Sequence, residues 1–127
     1  MDGGVEESPP LTVRCGFHTG AVVVTASGEL DLDTVPELER HVVAAVEAAT
    51  ACTSTAVVVV DLTPVSYLDS SGLNMLVRCH ELARRHRIGL RVAASDRRVL
   101  RPIMATSLDR VLDLYRTTAE ALDLPTT

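Results

Sequence analysis

The chain has 127 residues, 46% of them hydrophobic, and a formal net charge of −5. That is enough apolar chain for one globular domain with a real core, and the negative charge argues against nucleic acid and anionic membrane as partners. Aromatic residues are 2%, too few for a base-stacking platform, and all 12 basic residues are Arg, which excludes Schiff-base chemistry and a P-loop lysine.

Residues 1–10, "MDGGVEESPP", are acidic and polar; they read as a disordered leader and not as a signal peptide. "LTVRC" (11–15) and "AVVVTAS" (21–27) are rich in β-branched residues, and the stretch from Gly16 to Gly20 between them suits a hairpin turn. The period then changes. Thr34 and Glu37 have capping-box spacing, Pro36 falls in a first helical turn, and Val35, Leu38, Val42, Ala45, Val46 and Ala49 follow helical spacing, which predicts a helix over 34–49. "AVVVVDL" (56–62) is a continuous apolar run, as expected of a strand buried on both faces.

"TPVSY" (63–67) reads as a loop. After it Leu73, Leu76, Val77, Leu82 and Ala83 mark a second helix, with Arg84, Arg85 and Arg87 at its C-terminal end, where cations suit the helix dipole, and Gly89 stopping it. "LRVAA" (90–94) is another strand. Asp96 caps a third helix through Val99, Leu100, Ile103 and Met104, in which Pro102 predicts a kink or an early break. "VLDLYR" (111–116) gives a last strand and "TTAEALDL" (117–124) a last short helix, before a tail at 123–127. The order ββαβαβαβα predicts an α/β fold: a mixed sheet of four to five strands that opens with an antiparallel hairpin and carries about four helices.

No candidate cofactor motif appears, and His18, His41, His80 and His86 show no metal-ligand spacing. Cys15, Cys52 and Cys79 are odd in number, widely spaced and free of any C-x-x-C pair, as in a cytoplasmic protein with reduced thiols. No apolar run approaches membrane-spanning length. "RRHR" (84–87) reads as a solvated helix end. Asp61, at the carboxyl end of a buried strand, resembles the nucleophile of a phospho-accepting receiver domain, but such domains need a late lysine and do not open with a hairpin, so Asp61 is expected to make turn hydrogen bonds.

The informative stretch is "LDSSGL" (68–73). With Asp69 as N-cap, Leu68 and Leu73 have the spacing of a hydrophobic staple, and Ser70, Ser71 and Gly72 take the first three helical positions. That cap accounts for Asp69 and the leucines. It leaves two serines unexplained, and a glycine that costs a helix about 1 kcal/mol relative to Ala. A small, hydroxyl-bearing helix start suits the close approach of another molecule. A hydrolase nucleophile would need G-x-S-x-G, which is missing, and His80 and His86 are at least two turns away.

"GELDLDT" (28–34), "VVVVDLTPVSYLDSSGL" (57–73) and "ATSLDRVLDLY" (105–115) resemble the STAS domain of bacterial anti-sigma factor antagonists, with a match running over 11–122. The resemblance implies a cytoplasmic, non-enzymatic binding protein. Its partner is an anti-sigma factor with serine kinase activity, and its binding frees the sigma factor. The kinase phosphorylates the serine after the motif Asp, here Ser70 with Ser71 as the alternative, and a PP2C-type phosphatase reverses this. Asp31, Asp69, Ser70, Ser71 and Gly72 are the implied partner-binding residues. The other reading is a STAS scaffold or ligand-binding subunit with no phosphorylation cycle.

Overall fold

Valine decides the centre of the sheet. In a computed structural model, which describes residues 10–123, the chain runs β1 (Leu11–His18), β2 (Ala21–Leu30), α1 (Val35–Ala51), β3 (Val57–Asp61), β4 (Val65–Leu68), α2 (Ser70–Arg85), β5 (Gly89–Ala93), α3 (Arg97–Ala105), a 3₁₀ turn (Leu108–Arg110), β6 (Asp113–Tyr115) and α4 (Thr118–Leu122). Every residue of β3 is buried, because its two faces meet different layers. Val58 and Val60 join the main core with α1, α2 and α3, whereas Val57 and Val59 lie in a smaller core under Ala121 and Leu122 of α4.

The sheet order is β1-β2-β3-β5-β6, with β1 antiparallel to β2 and the other neighbours parallel. The α/β class, the opening hairpin and the alternation of strands and helices are as expected from the sequence. The sheet has six strands, however, not four to five. The extra one is β4, inside the segment read as a loop. β2 is long: its first half pairs with β3, and its overhang from Gly28 to Leu30 pairs in parallel with β4. Pro64 and Ser66 hide β4 in the sequence, because only this overhang gives its backbone a ladder.

Three smaller differences have local causes. The hairpin turn is Thr19-Gly20 alone, since His18 pairs with Ala21, so Gly16 lies within β1 opposite Val23. The last strand is confined to Asp113–Tyr115, because Val111 follows the 3₁₀ turn and Leu112 bonds back to Leu108 at 2.8 Å. The third helix continues past Pro102 to Ala105, and the Pro102 carbonyl accepts the Thr106 N–H at 3.2 Å and its hydroxyl at 2.7 Å, which closes the helix end. The expected leader at 1–10 and tail at 123–127 lie, but for Pro10 and Asp123, outside the described residues.

Polar groups lock the layers. Arg78 on α2 forks onto Glu39 on α1 at 3.0 and 2.7 Å. Arg91, on the middle of β5 and only 9% exposed, donates to the Ala121 carbonyl of α4 at 2.7 Å, while its charge faces β6, 3.8 Å from the Asp113 carboxylate and 5.9 Å from the centre of the Tyr115 ring. Asp61 does the turn work expected of it: its carboxylate accepts from the Thr63 N–H (3.0 Å) and hydroxyl (2.7 Å) and from Thr25 (3.3 Å).

The three cysteines are free thiols in unlike settings. Hydrogen bonds from Ser54, and then from Thr55, pull the exposed Cys52 thiol down to about 7, while burial pushes Cys79 up to about 12 and raises Cys15 less. The thiolate is the nucleophile. Alkylation by iodoacetamide at pH 7.5 is therefore expected at Cys52 first and at Cys79 only on unfolding, and the Cys52 rate should climb with pH through a midpoint near 7. Peptide mapping over a pH series checks this; equal labelling of Cys52 and Cys79 in the folded protein would refute it.

Candidate functional site

Two loops leave the same end of the sheet side by side. Leu30, last in β2, is in register with Leu68, last in β4, and the Asp69 N–H donates to the Leu30 carbonyl at 3.1 Å. The segment 31–34 and the start of α2 are thereby brought together.

Asp69 caps α2 as its position predicts. It has extended backbone, and its carboxylate oxygen Oδ1 accepts from the Ser71 N–H at 2.9 Å and the Gly72 N–H at 3.3 Å. Leu68 and Leu73 are buried on either side, as the staple requires. Ser70 takes the first helical position and is exposed, and Ser71 is half-buried. Gly72 faces the opposite way from its expected role. It is buried, and a Cβ there would stand 2.3 Å from Leu68 Cδ1 and 3.4 Å from Leu30 Cβ. The glycine makes room for the staple leucine beneath the helix, so it shapes the site from below and offers no low outer surface.

Asp31 is half-buried and serves its own loop. Its Oδ1 accepts from the Asp33 N–H at 3.0 Å and the Thr34 N–H at 3.1 Å, and its carbonyl accepts from Val35 at 2.9 Å. The expected capping box between Thr34 and Glu37 does not form: Thr34 makes no side-chain cap bond. Its buried hydroxyl is turned back, donating to the Glu29 carbonyl at 2.7 Å and accepting from the Asp31 N–H at 2.9 Å. Glu37 pairs with Arg40 instead. Asp31 closes the loop ahead of α1 as an Asx turn, and its carbonyl, not its carboxylate, takes the first N–H of the helix.

Beyond Ser70 an open groove of about 590 Å³ runs between α2 and the end of α3, lined by Ser70, Leu73, Asn74, Val77, Arg78, Thr106 and Leu108. Ser70, Asn74 and Arg78 are spaced four apart and form one stripe of the helix. The sequence holds the signal for that stripe, but Thr106 and Leu108 arrive from a distant segment. His80 is part-buried, with its Nδ1 lacking a hydrogen-bond partner among the described residues, and His86 ends the helix in solvent. Ten residues of helix put His80 about 15 Å along the axis from Ser70, too far to act as its base. Arg84, Arg85, His86 and Arg87 are all exposed, a solvated helix end.

The fold is a mixed α/β sheet with its main helical layer on one face, and a serine-bearing helix start lies where two loops meet. The STAS domain family model matches residues 13–121, and the chain belongs to that family. Anti-sigma-F factor antagonist RsfB of Mycobacterium tuberculosis is 34% identical over 113 residues, spanning 88% of this chain and 87% of its own. RsfA of the same organism, also described as an anti-sigma-F factor antagonist, is 30% identical over 115 residues, spanning 91% and 88%. The crystal structure of an anti-sigma factor antagonist from Mycobacterium paratuberculosis superposes with a TM-score of 0.77 at 33% identity, covering 92% of this chain and 96% of that one. Among the described residues no helix is long and apolar enough to cross a membrane.

Proposed function

We propose that this protein is a cytoplasmic anti-sigma factor antagonist switched by phosphate. In this reading its unphosphorylated form binds an anti-sigma factor that is also a serine kinase, and the sigma factor is released. The kinase transfers phosphate to Ser70, which ends the interaction, and a PP2C-type phosphatase restores the binding form. Ser70 is then a substrate of the partner and not a catalytic group. Asp31, Asp69 and Ser71 share the contact face, with Gly72 supporting it from beneath.

The observation that carries the reading is an exposed serine hydroxyl at the first position of α2, beside the 31–34 loop and at the mouth of a groove, with His80 and His86 too far along the helix to act on it. The relatives named as anti-sigma factor antagonists support the same assignment. A phosphate adds about −1.5 to −2 charges at pH 7. At a helix N-terminus it meets the positive end of the dipole, so the fold tolerates it and the change is confined to the surface.

The test is phosphate transfer. The protein is incubated with ATP and each anti-sigma kinase of the same genome, and the phosphate is located by mass spectrometry. Phosphate on Ser70 is expected. Phosphate on Ser71 alone, or none with any kinase, would overturn the phosphorylation cycle; a stable complex indifferent to ATP would favour a scaffold.

A further inference from the structure

A lone exposed leucine says little about function, because folded proteins show many apolar atoms to water. Leu32 is different in its setting. It is 74% exposed at the tip of the loop between β2 and α1, and the residues around it are tied down. Asp31 receives the Asp33 and Thr34 N–H groups on its carboxylate and the Thr34 and Val35 N–H groups on its carbonyl, while buried Thr34 bonds back to Glu29 at 2.7 Å. The loop is therefore already in one conformation before any partner arrives. A preorganised apolar side chain loses little ordering entropy on binding, so more of its burial appears as affinity.

The tip also lies beside the phospho-acceptor. Leu30 and Leu68 end adjacent parallel strands in register, and Leu32 and Ser70 each follow that pair by two residues, in the loop and at the start of α2. Asp33, next to Leu32 in the chain, is exposed, and the half-buried carboxylates of Asp31 and Asp69 keep the local charge negative. An apolar knob beside such charge calls for a complementary surface: a shallow apolar socket with a basic residue at its edge. Phosphorylation would add charge near the knob without altering it.

We infer that Leu32 is the apolar anchor through which this protein docks on its anti-sigma kinase and by which it distinguishes one such kinase from another. The inference rests on the function proposed above and adds the residue that sets partner choice. Ser70 reports the phosphorylation state; Leu32 supplies the contact area. Phe17 is a built-in control. It is more exposed, at 77%, but it pairs with Val22 near the hairpin turn, eight residues down β2 from Leu30, about 26 Å away.

Isothermal titration of the unphosphorylated protein into each purified anti-sigma kinase of the same genome tests this, with thermal unfolding of every variant alongside. Leu32→Ala is expected to weaken binding to the preferred kinase about tenfold to a hundredfold. Leu32→Asp should bind more weakly still, Phe17→Ala should match wild type, and all unfolding midpoints should agree, since an exposed tip adds little to stability. In the phosphorylation assay Leu32→Ala should raise KM and leave kcat in place. Binding by Leu32→Ala within twofold of wild type, or an equal loss in Phe17→Ala, overturns the anchor while the proposed function stands on wild-type binding and on phosphate at Ser70. Wild-type protein that binds none of the kinases removes the proposed function and the anchor together.

Discussion

Ser70→Asp is expected to lower affinity for the anti-sigma kinase more than a hundredfold, while Ser70→Ala stays within a few-fold of wild type. The physical argument has two halves. Within the protein, a carboxylate at the first position of α2 faces the helix N-terminus, so the variant should unfold at or slightly above the wild-type midpoint. At the partner, a surface that fits a small neutral hydroxyl meets a charge it must desolvate, next to Asp69 and the Asp31 loop. A loss of about 3 kcal/mol is sufficient for a hundredfold change. Titration calorimetry and circular dichroism on the same samples separate the halves. If Ser70→Asp and Ser70→Ala bind alike, charge at this position does not operate the switch. If Ser70→Asp unfolds early, the loss of binding is a loss of structure.

Gly28→Ala should be the most damaging single-methyl change in the sheet. Gly28 has φ of +123°, and a Cβ there would stand 2.2 Å from the Pro10 carbonyl oxygen. That oxygen accepts the Glu29 N–H at 3.1 Å, so the clash falls on a backbone bond and cannot be relieved by turning a side chain. The register of β2 shifts between Gly28 and Glu29, where pairing with β4 begins. Strain at such a φ costs about 1–3 kcal/mol, and with the clash the total is roughly 3 kcal/mol. For a domain of this size that lowers the unfolding midpoint by about 10 °C. Gly16→Ala is the control, since a Cβ at Gly16 meets nothing within 4 Å and its effect should be small. Similar midpoints for the two variants would show that the close approach at Gly28 relaxes freely.

The motif and the shift are connected. Gly28 sits where β2 passes from β3 to β4, and the β2–β4 pairing is what places the 31–34 loop against Ser70. A destabilised bulge should therefore also weaken partner binding, though Gly28 is not itself on the proposed contact face.

Much of this protein is legible in its sequence, wherever the cause is local. The α1 positions Val35, Leu38, Val42, Ala45, Val46 and Ala49 are its buried ones because helical spacing alone selects a face. The unbroken valines of β3 could only be a strand covered twice. Asp69 caps α2 because a short carboxylate before a helix has two N–H groups within reach. The same logic that succeeds there fails at Thr34, where the capping-box spacing is present but the hydroxyl is turned back, donating to the Glu29 carbonyl and accepting from a competing donor, the Asp31 N–H.

What the sequence determined by itself, then, is the set of elements, the cap of the motif helix and the serine at its first turn, since each depends on neighbours within a few residues. Tertiary structure decided the rest. It made a strand of Val65–Leu68 by lending it the overhang of β2, turned Gly72 inward beneath Leu68, and gave Asp31 to its own loop. It also brought the 31–34 loop alongside the start of α2. The β2–β4 ladder behind this arrangement pairs residues some forty positions apart, and no spacing rule along the chain reports which distant backbone will arrive to complete it.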